Sequence, residues 1–403
     1  MRHYLSIRFV LLLICSLFSV NLFAQPRNPM RATDDTFFQT EDARRIGDQI
    51  LLYQRVTGGW PKNIDTAREL SPEERAQIAR DMDRKPQVNP RLFDVVVRPG
   101  ESIQQAIEQA PDDGARPFKI LLQNGIYRQK VIIDKPNIVL VGEDRDSTRL
   151  ILAETGQTIT VPEYKGKKVH MGVIVLTEEA DNCVISGLTV YNNYGTTVEE
   201  TTVHQMAIYG RATRTIIVNC NVWADGNDAL SLWAPGGEGM YYHADLDIRC
   251  PGVDFLCPRG WCYATRCTFY GDSRAILWHD GRGEKSKKLV VTDSSFDAKT
   301  PTLLGRYHHD HQIYLLGCQL SSQILDTNIQ YAYSDKVLDP CPWGNRVYYY
   351  NCTREGGAGH WLDDNLHEAE GAPEAYEITP QWTFDNRWDP EQRIQDLWSV
   401  IGY

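Results

Sequence analysis

The chain has 403 residues, with a charged fraction of 24% and an apolar fraction of 42%, which is ordinary for a soluble globular protein with a large core. A formal charge of -11 argues against nucleic acid as a partner, and it also repels a polyanionic polymer at long range. Any polyanionic partner would have to be met by local cations such as Arg249, Arg259 and Arg306.

Residues 1–24 read as an export leader. Arg2 and Arg8 precede an apolar run from Phe9 to Phe18, and Leu22-Phe23-Ala24 offers a small residue at the cut. The run is short for a membrane span, so cleavage after Ala24 and a periplasmic or secreted product are expected. Removing Cys15 with the leader leaves nine cysteines, an odd set in an exported chain, so at least one thiol stays free or pairs between molecules. No pair of CxxC motifs is present, which speaks against a structural zinc site.

Residues 25–90 form an expected helical extension. Ile46, Ile50 and Tyr53 fall at helical spacing after a possible N-cap at Thr40, and Ser71-Pro72 opens a second short helix. From residue 91 the pattern turns to β. One early helix begins at Ser102, with Gln105 three residues on and Ile103, Ala106, Ile107 and Ala110 along one face. Short β-rich runs follow at 118–122, 131–133 and 138–141, divided by Asn124-Gly125 and Pro136-Asn137.

An internal repeat decides the fold class. Asn182-Cys183, Asn219-Cys220, Arg266-Cys267, Ser294-Ser295, Gly317-Cys318 and Asn351-Cys352 share a polar or small residue beside Cys or Ser, at irregular intervals of roughly two to five dozen residues. That spacing predicts an all-β solenoid, a right-handed parallel β-helix over residues 91–390, with a short helical tail at 391–403. Cys183, Cys220, Cys267, Cys318 and Cys352 become a stack of small, soft side chains inside the coils. Cys250, Cys257 and Cys262 lie in or beside the Asp254 loop, where one disulfide could stiffen it.

Four polar clusters sit on successive segments between 204 and 306: His204-Gln205-Met206-Ala207-Ile208, Asn227-Asp228-Ala229-Leu230, Val253-Asp254-Phe255-Leu256 and Leu304-Gly305-Arg306. Two carboxylates, two amides and a guanidinium form a minimum set for acyl transfer to a carboxylate nucleophile. Residues 236–242, between the two Asp motifs, end in Tyr241-Tyr242 and are candidates to rim a cleft with rings that stack on sugars; Trp233 is a candidate cleft wall. His308-His309-Asp310-His311 reads as a solvated or substrate-lining cluster in preference to a metal site.

With these motifs in this order, the chain resembles the pectin methylesterase family from Phe93 to Pro390. Gly125-Ile126-Tyr127 is similar to the family's Gly-x-Tyr-x-Glu element, Gln205-Met206-Ala207-Ile208 to Gln-Ala-Val-Ala, Asn227-Asp228-Ala229-Leu230 to Gln-Asp-Thr-Leu, Asp254-Phe255-Leu256 to Asp-Phe-Ile-Phe-Gly, and Leu304-Gly305-Arg306 to Leu-Gly-Arg-Pro-Trp. The resemblance implies an esterase that acts on the C6 methyl ester of galacturonate in a pectic polysaccharide, as a monomer and with no metal or other cofactor. It implies Asp254 as nucleophile, Asp228 as acid and then base, Gln205 as a donor to the oxyanion, and Arg306 as the group that keeps Asp254 ionised. Three departures stand out: Gln129 replaces the family's Glu, Asn227 replaces its second Gln, and Tyr307 and His308 stand at its Pro and Trp, so the sugar contacts there are expected to differ. The segment Gly58-Gly59-Trp60-Pro61-Lys62-Asn63 resembles part of the helical pectate lyases over some 30 residues, too short to carry that activity. A calcium-dependent β-helical lyase and a non-catalytic glycan-binding β-helix are the competing readings.

Overall fold

The computed structural model describes residues 88–154, 163–169, 172–199, 203–272, 274–282, 284–332, 341–356, 365–368 and 370–401. The expected leader and nearly all of the expected helical extension lie outside them. Residues 89–402 form one compact unit.

Within that unit the strands are short, and every ladder pairing between successive coils is parallel. They stack into three faces, which makes the expected parallel β-helix, right-handed as parallel crossovers are. One face is a 9-stranded sheet, and the other two are joined into a 17-stranded sheet. The join is the strand Leu256–Thr265, whose first residues pair with Leu230–Trp233 on one face and whose last pair with Gly239–Ala244 on the next. It bends at Gly260, where a Cβ would lie 2.3 Å from the Gly239 carbonyl oxygen, so no larger residue fits the fold-over.

Register explains which side chains form the core. On one face Ile174, Ile208, Leu230, Leu256 and Leu277 pair in sequence and are all buried. The next residue of each strand faces the other way, so Val175, Tyr209, Ser231 and Cys257 align on the outer side, followed by the paired Trp278 and Arg306. Elsewhere the same in-line pairing stacks Phe269 on Phe296 with centroids 4.7 Å apart.

The repeat motif marks one corner of the coil, with its fourth member one residue earlier than expected, at Asp293-Ser294 in place of Ser294-Ser295. Asn182, Asn219, Arg266, Asp293, Gly317 and Asn351 all have positive φ, between 51° and 63°, and the Cys or Ser that follows turns into the core. There each side chain donates to the carbonyl two residues back: Cys220 to Val218 at 3.3 Å, Cys267 to Thr265 at 3.4 Å and Ser294 to Thr292 at 2.7 Å. The position selects a small donor, which adds a second bond to a carbonyl that already accepts a backbone N–H from the neighbouring coil, as those of Thr265 and Thr292 do from Asp245 and Arg266. Asp245-Leu246 occupies the same corner without a thiol.

All nine cysteines from Cys183 onward are free thiols. The disulfide considered for Cys250, Cys257 and Cys262 does not form. Cys262 lies in the core, Cys250 donates to the Gly226 carbonyl at 2.6 Å, and Cys257 donates to that of Asp254 at 2.9 Å. Burial pushes the thiols of Cys183, Cys220 and Cys267 up to about 12.

At the first coils, the helix Ile103–Glu108 is capped by Ser102, whose hydroxyl accepts from the Gln105 N–H at 3.2 Å. Gln129 ties this helix down, accepting from the Ile103 N–H and donating to the Glu101 carbonyl, both at 2.9 Å. An ionised Glu offers no donor for the second bond, which accounts for the amide at this position. The tail runs back along one outer wall. Trp382 meets Tyr314, Arg387 lies over Trp261, Tyr242 donates to Glu391 in the helix Pro390–Ile401, and Arg393 reaches Asn137 in the early coils.

Candidate active site

A second corner of the coil carries the candidate residues. Asp228 and Asp254 take positive φ values of 64° and 62°, one residue ahead of the inward-facing Ala229 and Phe255. Asp tolerates this conformation better than most residues. Because Leu230 pairs with Leu256, the two aspartates occupy equivalent places on adjacent coils, with Asp228 N–H donating to Val253 and Asp254 N–H to Ala275. Their carboxylate oxygens and the Cys257 sulfur lie within 4.8 Å of one another.

Arg306, two coils further on, grips Asp254 with two parallel bonds, Nε to Oδ1 at 2.9 Å and Nη2 to Oδ2 at 2.5 Å. Asp254 is only 5% exposed, and that burial, together with the charge of Asp228, outweighs the guanidinium and pushes its carboxyl up to about 6. Above that pH it is an anion held in one orientation with little water around it. Asp228, 3% exposed, meets His204 Nδ1 through Oδ2 and accepts from the Cys257 thiol through Oδ1 at 3.5 Å.

The two amides differ. Gln205 has no exposed surface, its Oε1 accepts from the Gly195 N–H at 2.8 Å, and its side chain lies against Gly226, where a Cβ would come 2.4 Å from Nε2. Gln205 thus lies beneath the site, held by Gly195 and packed against Gly226. Asn227 is partly exposed, and its Oδ1 accepts from the Val253 N–H at 3.1 Å, which fixes the turn that leads into Asp254. That turn needs Gly252, because a Cβ there would lie 2.3 Å from Asn227 Oδ1.

Next to the dyad stands an aromatic wall. Trp233 packs edge-on to Tyr209 at 5.5 Å and beside Trp278 at 6.4 Å, while the Arg259 guanidinium lies 4.4 Å from the Trp233 ring centre and 5.6 Å from that of Trp278. Arg259 pairs with buried Asp280 at 3.3 Å. Trp278 Nε1 donates to His308 Nδ1 at 3.2 Å, and burial together with Arg306 holds His308 below the ordinary imidazole range, as the neutral base this bond requires.

The structure therefore brings together Asp228, Asp254, Arg306, Asn227, Trp233 and His308, with Gln205 beneath them. It separates two expected substrate contacts. Tyr241 is fully buried in the core, its hydroxyl accepting from the Ala234 N–H at 3.0 Å, because the strand Gly239–Ala244 is covered on both sides. Tyr307 falls on the opposite side of its strand from Arg306 and packs against the core and Tyr331. The histidine run divides: His308 and His309 are half exposed, while His311 is buried against His279, with ring centres 4.5 Å apart. Sequence reasoning gave no role to His204 or Trp278 and considered Cys257 only for a disulfide; aligning the strands by register would have found Trp278 and Cys257, which share the outer column with Arg306.

No family model matches the chain. Pectinesterase A of Dickeya chrysanthemi is 30% identical over 94 residues, which cover 23% of this chain and 25% of that protein. A pectinesterase of Petunia integrifolia is 23% identical over 283 residues, covering 66% of this chain and 70% of that one. The chain thus spans a quarter of the one relative's length and over two thirds of the other's. Among solved structures, the pectin methylesterase PemA from Erwinia chrysanthemi superposes with a TM-score of 0.55 at 19% identity, covering 74% of this chain and 98% of that one.

Proposed function

We propose that this chain, a member of the pectin methylesterase family, hydrolyses C6 methyl esters of galacturonate in a pectic polysaccharide, releasing methanol and leaving the free carboxylate. The observation that carries the reading is the pair of buried carboxyls on adjacent coils, of which only Asp254 is gripped by a guanidinium. The guanidinium fixes and favours the anion of Asp254, so the attack is assigned to it and the acid's part to Asp228.

An oxygen of Asp254 attacks the ester carbonyl, and Asp228 gives its proton to the methoxy oxygen as the C–O bond breaks. Methanol leaves, and a mixed anhydride joins Asp254 to the sugar acid. Asp228, now a carboxylate, takes a proton from water as the hydroxide adds to the sugar's carbonyl, and Asp254 departs as the anion. Asn227 is the amide with open surface, so the oxyanion donor falls to it; one such donor is worth about 3 kcal/mol in a transition state. Trp233, the half-exposed ring of the wall, is the surface offered to a sugar, with Trp278 buried behind it, and Arg259 adds a local cation to an acidic protein. The reading includes export and a mature N-terminus at Gln25, which N-terminal sequencing of the exported protein tests. No helix among the described residues is long and apolar enough to cross a membrane.

The test is a methanol assay on pectins of different methylation and branching, with polymer length followed in parallel. Methanol release at constant chain length is expected. An unsaturated, ultraviolet-absorbing product would instead mark a lyase, and binding with no hydrolysis on any methylated pectin would mark a glycan-binding β-helix.

A further inference from the structure

We propose that His204 is the proton partner of Asp228: the imidazole shares one proton with the buried carboxyl through Nδ1 and exchanges it with solvent from its open edge. The inference rests on the assignment of Asp228 as acid and base, and adds the group that supplies and retains its proton.

Three observations carry it. First, the placement of His204 is set by backbone. It bridges Asn227 in parallel register, the Gln205 N–H donates to the Asn227 carbonyl at 3.0 Å, and the Asn227 N–H donates to Val203 at 3.1 Å. Second, exposure is split between the two side chains. The side chain of Asp228 is 4% exposed and that of His204 is 36% exposed, so the imidazole links the sealed acid to water. Third, charge needs balancing. Asp254 and the Cys257 thiol face Asp228 as well, and Arg306 lies across Asp254. One guanidinium cannot neutralise two anions in a buried cleft, and one proton held between His204 and Asp228 brings the group to neutrality. In keeping with this, the hydrogen bond to Asp228 raises the His204 imidazole above its ordinary range despite burial, with the charges of Asp228 and Asp254 adding to it.

During acylation the shared proton leaves with methanol, and the pair is left as carboxylate and neutral imidazole. During deacylation water gives one proton to Asp228 and its hydroxide to the acyl carbon, which restores the pair, while the product acid loses its own proton to solvent. His204 acts through Asp228 and is a positioning residue. Its signature is the alkaline side of the pH profile, since the acid fails once the pair loses its proton.

The experiment compares kcat and KM for methanol release against pH in the exported chain and in His204→Asn, whose amide occupies the place of Nδ1 but cannot titrate. KM is expected to stay within about twofold, the alkaline limb to move down by about one pH unit or more, and kcat at pH 8 to fall at least about tenfold. Imidazole NMR, with the His204 signal assigned from its loss in His204→Asn, is expected to give a midpoint above 6.5 that drops in Asp228→Asn. An active parent whose profile superimposes on that of His204→Asn overturns the role of His204 and leaves the esterase reading intact. A parent inactive on every methylated pectin sinks the esterase reading instead; the pairing then stands or falls on whether Asp228→Asn moves the His204 midpoint.

Discussion

The coil has two corners built on the same backbone device, and they treat it in opposite ways. At the structural corner a residue with positive φ precedes a small core side chain, and the residue that takes the strain varies among Asn, Asp, Arg and Gly, from exposed Arg266 through half-buried Asn182, Asn219 and Asp293 to buried Asn351. At the catalytic corner the strained residue is Asp on both coils, and its side chain is buried at 3% for Asp228 and 5% for Asp254. Left-handed backbone therefore tolerates many residues, and the direction of the side chain decides which of them the site requires. Substitutions at the structural corner should alter stability and leave chemistry alone; at the catalytic corner the reverse should hold.

The sharpest break of this contrast is Asp254→Asn. Asn accepts the same φ and keeps the shape, so the fold should survive, and removing a buried charge should leave the melting temperature unchanged or higher. Methanol release should fall by a factor of roughly 10⁴ or more, as for loss of a nucleophile elsewhere. Parent-like activity in this variant would remove Asp254 from the mechanism.

Arg306→Lys comes next. A lysine keeps the charge and loses the two-bond fork, so Asp254 is both less well aimed and less well stabilised as an anion. A drop in kcat/KM of about 100-fold is expected, with the acid limb of the profile moving to higher pH. Unmodified protein sharpens the same point. Its activity should fall about tenfold for each unit below pH 6, as Asp254 takes up a proton. Stability should not follow. The folded pKa of about 6 lies above the ordinary carboxyl value of 3.8, so the folded state binds this proton more readily than the unfolded chain, and the contribution of Asp254 to stability rises as pH falls between the two values. Loss of activity near pH 6 without a matching loss in melting temperature separates the nucleophile from unfolding.

How much of this was legible in the sequence differs between the corners. The structural corner was visible because thiols recur in it, yet the repeat missed Asp245-Leu246, where backbone strain is kept and the thiol is not. The catalytic corner was visible as four motifs, since Asp228, Asp254 and Arg306 lie at strand ends that register brings together. What stayed hidden was side-chain direction. Tyr241 sits in a strand covered on both faces, Tyr307 lies one residue from Arg306 and so on the other side, and Gln205 is distinguished from Asn227 only by what packs over it. A period of two turns a one-residue ambiguity into the opposite face.

At the structural corner the expected effects are smaller and fall on stability. Cys267→Ala removes a buried sulfur and leaves a small void, which should cost about 1–2 kcal/mol. Cys267→Ser should cost less, because its hydroxyl can reach the Thr265 carbonyl as Ser294 reaches Thr292 in the next coil. Both variants should keep the parent kcat. A kcat loss in either would mean that the two corners are coupled through the core.

The smallest effect should come from Arg266→Gly, which sets the two halves of the device against each other. Arg266 has φ of 52° and holds Asp245 on the neighbouring coil with two bonds of 2.8 Å, its side chain 53% exposed. Glycine relieves a left-handed conformation that costs other residues roughly 1 kcal/mol. It also removes a surface ion pair worth about 0–1 kcal/mol after solvent screening. The two nearly cancel, so the melting temperature should move by no more than about 2 °C, with kcat unchanged. High salt separates the terms: it weakens the ion pair of the parent and leaves the backbone gain of the variant, so Arg266→Gly should become the more stable of the two as ionic strength rises.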